Sequence, residues 1–238
     1  MMIGNILKKI YYRKYTKTSY SISNVDLIID RMFANKSKGN FIDLGCNHPI
    51  KFNNTYLLYK RGWRGLNIDL DQTSINEFNK IRNLDFNVKA LVSNSSNEIK
   101  KIYYYHKRSA INTVSEQLIK HRNSSNKDYQ IVEQKTKTLE EIINNSPLKN
   151  KNIDLLSIDI ENHEYEVLKN FDFKNYKISV IVTEIHDLDQ TKLEIYNQNI
   201  EKILENKLYK LLILNGYKLI NWVNSDLIFV RKDFDISI

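Results

Sequence analysis

A mostly parallel, doubly wound α/β sheet is the fold class this sequence predicts, and three observations carry it. Short apolar, β-branched runs alternate with stretches of helical periodicity along most of the chain. The first two runs, Phe41-Ile42-Asp43-Leu44 and Leu66-Asn67-Ile68-Asp69, carry acids near their carboxyl ends. The last two runs, 217–223 and 226–230, are separated only by Asn224-Ser225, a hairpin that adds antiparallel strands at the sheet edge.

The elements follow in order. Residues 1–39 read as a helical appendage with a break over 16–24. Val25, Ile28, Ile29 and Met32 share a helical face, and residues 36–39 end it. Residues 40–238 read as one α/β domain, a length that supports a full core. A strand over 40–44 is followed by a helix over 52–61, the turn Gly62-Trp63-Arg64-Gly65 and a strand over 66–70. Trp63 is read as packing at this corner. Ser74-Ile75-Asn76-Glu77 has the form of a capping box and opens the next helix. Residues 86–92 make a third strand, and 98–106 a further one that extends the sheet edge. The polar segment 108–128 has weak periodicity and reads as a mobile, substrate-facing stretch. Thr138-Leu139-Glu140-Glu141 is a second capping box, opening a helix that stops before Pro147. Strands over 153–159 and 178–184 flank a helix over 163–170, and a long amphipathic helix spans 192–214.

Composition narrows the function classes. The chain has 238 residues, 42% hydrophobic and 27% charged, which places it among folded domains. Six Gly and two Pro argue against a loop-rich sandwich. The single Cys46 excludes an internal disulfide and a cysteine-built zinc site, and fits a reducing cytoplasm. Next to a Gly in a tight turn, it is read as small filler. The net charge of +8 is spread along the chain, without an arginine-rich arm, so solvated lysines are preferred to a nucleic-acid surface. No apolar run reaches the length of a membrane span. The basic N-terminal stretch is read as docking on its own domain or on a partner subunit of a homo-oligomer, ahead of peripheral contact with a membrane surface.

Ligands of doubly wound sheets sit at the carboxyl ends of the strands. Asp43, Asp69, Asp159 and Glu184 are expected there in register. Asp69 follows Asp43 by 26 residues, close to the spacing of a ribose-binding carboxylate. The first turn holds only Gly45, so the glycine pattern that admits a pyrophosphate is missing, and no P-loop occurs. A cofactor with a ribose and no phosphate is favoured, which fits S-adenosylmethionine, with the turn amides and the Asp43 region holding its amino-acid end.

Two separated signatures then resemble one family. Phe41-Ile42-Asp43-Leu44-Gly45-Cys46-Asn47-His48-Pro49, with Asn54-Thr55-Tyr56, Gly62-Trp63-Arg64-Gly65 and Asn67-Ile68-Asp69, is similar to the FkbM-type methyltransferases. Ile158-Asp159-Ile160-Glu161-Asn162-His163-Glu164-Tyr165-Glu166-Val167-Leu168 resembles their I-D-x-E-G-x-E-x-x-V-L pattern, with Asn162 where Gly is common. Asn is the next-best residue for a left-handed backbone. Ile181-Val182-Thr183-Glu184 matches as well, and the resemblance covers residues 40–232. It implies a Rossmann-like class I methyltransferase with a seven-stranded sheet and S-adenosylmethionine as donor. It further implies O-methylation of a sugar hydroxyl, on a nucleotide-linked sugar or a precursor of a surface or capsular glycan. Carried onto this chain, Asp43, Gly45 and Asn47 line the methionine end with Asn54 and Thr55 near it. Asp69 holds the ribose, Ala90 borders the adenine, and Asp159 sits beside the sulfonium.

Methyl transfer needs an aligned acceptor oxygen and a base for its proton. Asp159, Glu184 and His186 are the candidates, with His186 suited to proton transfer near neutral pH. Asp159 and Glu184 offer an alternative role as ligands of a divalent cation, Mg or Mn, that orients a sugar diol. Glu161 and Glu164 are also weighed as structural acceptors for backbone amides, and His48 and His163 as turn residues. Two rivals stand beside this reading. One is a sugar-nucleotide glycosyltransferase using Asp69-Leu70-Asp71 or Asp187-Leu188-Asp189 as a D-x-D metal site. The other is a non-catalytic nucleic-acid-binding module, on charge alone.

Overall fold

The period of two along each strand sorts the apolar side chains onto opposite faces of one central sheet. Leu156, Ile181, Leu227 and Phe229 join one core, while their neighbours Leu155, Val180, Val182, Ile228 and Val230 join another. The computed structural model describes residues 12, 16–122, 129–185 and 199–234. Its first helix, α1, is Val25–Met32. Strand β1 (Asn40–Leu44), helix α2 (Tyr56–Lys60), strand β2 (Arg64–Asp69), helix α3 (Gln72–Ile81) and strand β3 (Phe86–Lys89) form the first half. Then come β4 (Leu91–Val92), β5 (Ile99–Tyr104), α4 (Glu116–Arg122), β6 (Gln130–Lys137) and α5 (Leu139–Asn144). The second half holds β7 (Ile153–Ile158), α6 (Glu164–Leu168), β8 (Ile178–Glu184), α7 (Ile200–Glu205), α8 (Lys207–Leu214), β9 (Tyr217–Val223) and β10 (Asp226–Arg231).

The main sheet has seven strands in the order β3-β2-β1-β7-β8-β10-β9. The pairs from β3 to β8 are parallel, and β10 runs antiparallel to both β8 and β9. Helices α5, α6, α7 and α8 cover one face through Leu139, Ile142, Val167, Ile203 and Leu212. Helix α1 covers the other, where Val25, Ile29 and Met32 pack with Phe41, Leu58 and Trp63. Residues N-terminal to position 40 therefore share a core with the sheet.

The expected sheet is present, and several element limits differ from the sequence reading. The stretch 86–92 breaks at Ala90, and β4 leaves the main sheet to form a three-stranded sheet in the order β4-β6-β5. The strand expected over 98–106 therefore belongs to this second sheet and does not extend the first. Its partner β6 has Ile131 and Val132 exposed and reads as polar, so backbone pairing and not burial makes it a strand. Helix α3 starts at Gln72 and not at Ser74, because Asp71 caps it by accepting from the Thr73 amide at 2.7 Å. Thr138 does cap α5, through the Glu141 amide. The long helix expected over 192–214 is interrupted at Asn206, which ends α7 and caps α8 through the Leu208 amide; residues 192–198 lie outside the described residues.

A buried polar network ties the end of β1 to its neighbours. Arg82, fully buried at the end of α3, donates to Thr55 Oγ1 at 2.9 Å, Asn53 Oδ1 at 3.2 Å and Asp85 Oδ2 at 2.9 Å. Phe41, Tyr59 and Phe78 lie 5.0–5.1 Å from its guanidinium. Arg82 also lies 4.0 Å from Asp43, whose Oδ2 accepts from Asn53 at 2.8 Å and Thr55 at 2.7 Å. Replacing one member leaves the others buried and uncompensated. Arg82→Met is expected to destabilise the fold by about 3–5 kcal/mol, read as a lower midpoint in urea denaturation.

Candidate active site

Parallel register brings the site together. Leu44 pairs with Ile68 on one side and Ile158 on the other, and Ile158 pairs with Thr183. The next residue of each strand therefore falls in one row: Asp69, Gly45, Asp159, Glu184. Asp43 is not in that row. It pairs with Asn67 and Ser157, two residues short of the edge, so three acids and not four stand in register.

Gly45 holds the place in that row where the backbone turns. Its φ is +82°, and its amide donates to Ile68 at 2.9 Å. A Cβ there would lie 1.8 Å from the Asp159 carbonyl oxygen. Asp159 in turn donates its amide to Leu44 at 3.0 Å. Asn47 has φ +47°, and its amide donates to Asp69 Oδ2 at 2.9 Å. The Asp71 amide donates to the other Asp69 oxygen at 2.7 Å. Each carboxylate oxygen keeps a lone pair for a second donor. Burial raises the Asp69 pKa to about 6, against the pull of the Asp71 and Asn47 amides.

A cavity with about 620 Å³ of open space, part of it continuous with solvent, lies above this row. Gly45, Asn47, Asp69, Ala90, Asp159 and His163 are among the residues that line it. Residues 108–114 cover it. They are tied down at one end by Asp71, which accepts from the Arg108 amide at 2.6 Å and the Tyr104 hydroxyl at 2.8 Å. Burial opposes ionisation of Asp71, but these donors and the Thr73 amide outweigh it and lower its pKa. At the other end Thr113 donates to the Glu161 carbonyl at 2.7 Å, and Arg122 to the Glu161 carboxylate at 2.5 Å. The segment expected to face the substrate thus faces this cavity over 108–114, and residues 123–128 lie outside the described residues.

The turn after β7 is strained where the chemistry gathers. Glu161 and Asn162 have φ of +58° and +67°, so the left-handed backbone anticipated for Asn162 begins one residue earlier. Glu164 accepts from the Ile160 amide at 2.8 Å, the structural role weighed for it. Asp159 is reached by solvent through the cleft, although protein packs densely around it. That packing, then Glu184, Glu161, Glu164 and Asp226, raises its pKa well above the usual carboxylate range. Glu184 lies one strand over, accepts from the Ser225 hydroxyl at 2.6 Å, and lines a second, wider cleft.

The other expected site residues fall behind the lining. Asp43 and Thr55 belong to the Arg82 network, and Asn54 donates to Ser157 at 3.2 Å. Burial raises the Asp43 pKa, with Arg82 opposing it. Cys46 is buried beside Ile75 and Phe78, as small filler. His48 is a turn residue whose Nδ1 accepts from the Ile50 and Lys51 amides. His186 and Asp187-Leu188-Asp189 lie outside the described residues. Among the described residues no three His, Cys, Asp or Glu side chains are gathered to hold a metal ion. In Asp69-Leu70-Asp71 both carboxylates instead accept backbone amides. Asp71, Arg108 and His163 were missed as parts of this site. An acid two residues ahead of Thr73 was the available signal for Asp71 as a cap.

A seven-stranded sheet of this order, with one antiparallel strand inserted next to its edge and a cavity over β1 and β2, defines a Rossmann-like class I methyltransferase. The methyltransferase FkbM domain matches residues 34–211, so the chain belongs to the FkbM methyltransferase family, and its donor is S-adenosylmethionine. Among solved structures, a TehB-like SAM-dependent methyltransferase from Corynebacterium glutamicum ATCC 13032 Kitasato is similar at 12% identity and a TM-score of 0.39, over 96% of this chain and 97% of that one. No curated protein matches the chain. The residues present fit the donor: each Asp69 oxygen accepts one backbone amide and keeps a lone pair that a ribose hydroxyl can use.

Two outcomes follow. Gly45→Ala is expected to abolish calorimetric binding of S-adenosylhomocysteine and to lower stability, since strain and overlap coincide there. Because hydroxyl donors favour ionised Asp69, affinity for S-adenosylhomocysteine is expected to be flat at alkaline pH. It should fall as pH drops below about 6, approaching tenfold per pH unit. Asp69→Asn should flatten that profile. In the ligand-free fold the sign is opposite: the raised pKa favours folding at acid pH, and this contribution is lost as pH rises through about 6.

Proposed function

We propose that this methyltransferase acts on a hydroxyl of a sugar, carried by a nucleotide or by a surface-glycan precursor such as that of a capsular polysaccharide. The observation that carries the reading is the second cleft. It meets the cofactor cavity at Val114 and His163 and is lined by Glu184, Asn162, Tyr165, Lys100 and Lys207 among others. Carboxylates, an amide and an aromatic face suit a polyhydroxylated ligand better than an apolar one. A nucleotide or phosphate carrier fits the lysines, and nucleic acid is not the proposed partner. One buried cysteine suits a cytoplasmic setting.

When bound, S-adenosylmethionine supplies a methyl group on a sulfonium, which leaves as neutral S-adenosylhomocysteine once the methyl is transferred. The residues of this chain then have two tasks. Asp69, Gly45 and the cover at 108–114 fix the donor and exclude water from it. Burial, and then the nearby charge of Glu184 on the adjacent strand, raises the affinity of the Asp159 carboxylate for a proton. That carboxylate accepts the hydroxyl proton as the oxygen bonds to the methyl carbon.

The test is transfer of a labelled methyl group to a panel of nucleotide-linked sugars by the purified protein. Label in a methyl ether supports the reading, and transfer only to amines, thiols or nucleic acid overturns it. Glu184→Ala is expected to leave S-adenosylhomocysteine affinity within about twofold while lowering turnover by about 10²-fold or more.

A further inference from the structure

His163 stands between the two clefts. It borders the cofactor cavity and the second cleft alike, a place it shares only with Val114 among the described residues lining them. It is 7% exposed and sits at the start of α6, in the turn that also carries Asp159. Such a ring is either filler or a reader of what lies in the cleft, and its hydrogen bonds decide between the two.

Ser93 follows β4 and is buried. Its hydroxyl donates to Asn94 Oδ1 at 3.1 Å, and the same oxygen lies 3.2 Å from His163 Nε2. A hydroxyl has one proton. With that proton directed to Asn94, Ser93 is left as an acceptor, which assigns the donor role to His163 Nε2. A neutral imidazole protonated on Nε2 carries its lone pair on Nδ1. Burial and Lys100 hold the His163 pKa down near 4, so the ring is neutral at physiological pH. The Asn94–Ser93–His163 chain therefore fixes one tautomer of a ring set where the clefts join.

We infer that His163 Nδ1 accepts a hydrogen bond from a second hydroxyl of the acceptor, so that the site selects polyols, with Ser93 and Asn94 as the positioning residues that keep that nitrogen unprotonated. This rests on the sugar-hydroxyl reading above and assigns the reacting proton to Asp159 and Glu184, not to His163. A weakly basic nitrogen suits the task. It orients a hydroxyl without taking its proton, and it stays an acceptor at pH values well above about 4.

Two measurements test the inference. The first needs no turnover: long-range ¹H–¹⁵N NMR of histidine-labelled protein at neutral pH, with His163→Gln used to assign the signal. Protonated Nε2 and bare Nδ1 are expected in wild type, with that preference lost in Ser93→Ala. Protonation at Nδ1 overturns the inference whatever the enzyme methylates. The second is kinetic, on the nucleotide-linked sugar that wild type methylates. His163→Leu should raise its KM at least about tenfold, with a smaller change in kcat and S-adenosylhomocysteine affinity within about twofold, and His163→Gln, which keeps an acceptor oxygen, should recover most of the loss. An unchanged KM in His163→Leu overturns the inference. If wild type methylates no sugar, the proposed function fails on its own account, and the NMR result still decides the His163 tautomer.

Discussion

The site depends on how closely β1 and β7 approach just beyond their last paired residues. Gly45 turns with φ +82° against the Asp159 carbonyl, in a space where no side chain fits. Asp159 closes the contact from the other side by donating its amide to Leu44. This one junction sets the floor of the cofactor cavity and aims the turn amides toward Asp69. It also places Asp159 in the wall of that cavity. Its position is held from beneath by the buried network of Asp43, Asn53, Thr55 and Arg82, which joins β1 to α3 and the segment before α2.

Acids of the same kind at the strand ends take different roles because their surroundings differ. Asp43 is consumed by structural donors inside the domain. Asp69 gives one lone pair of each oxygen to a backbone amide and keeps the others for a ligand. Asp71, two residues on, has a lowered pKa because it gathers the Arg108 and Thr73 amides and the Tyr104 hydroxyl, and so serves as cap and clasp. Asp159 has no comparable set of donors among the described residues, and burial, then the charges of Glu184, Glu161, Glu164 and Asp226, raises its pKa. The pattern of acids locates the functional edge, and the number of donors around each acid separates structure from chemistry.

Much of the fold was legible because strand and helix periods are local. The parity of Leu155 and Leu156, or of Val180, Ile181 and Val182, follows from alternation alone and correctly predicts a sheet covered on both faces. β6 was not legible, since Ile131 and Val132 are exposed and its identity as a strand comes from pairing with β5 and β4. The start of α3 was misplaced because Ser74 and Asp71 are both acceptable caps by residue type, and only the backbone path chose Asp71.

The sequence by itself determined most of the strands and helices, the turn at Gly45, and the acids Asp69 and Asp159 at the ends of β2 and β7. These depend on short-range patterns of residue type and on backbone conformations that few residues adopt. Tertiary structure alone decided which acids share a row, that Asp43 lies two residues behind it, and that residues 108–114 cover the cofactor cavity. It alone put His163 at the junction of two clefts, with Ser93 on its Nε2. The physical reason is that hydrogen-bond direction and burial are set by partners distant in the chain, here 70 residues apart for Ser93 and His163.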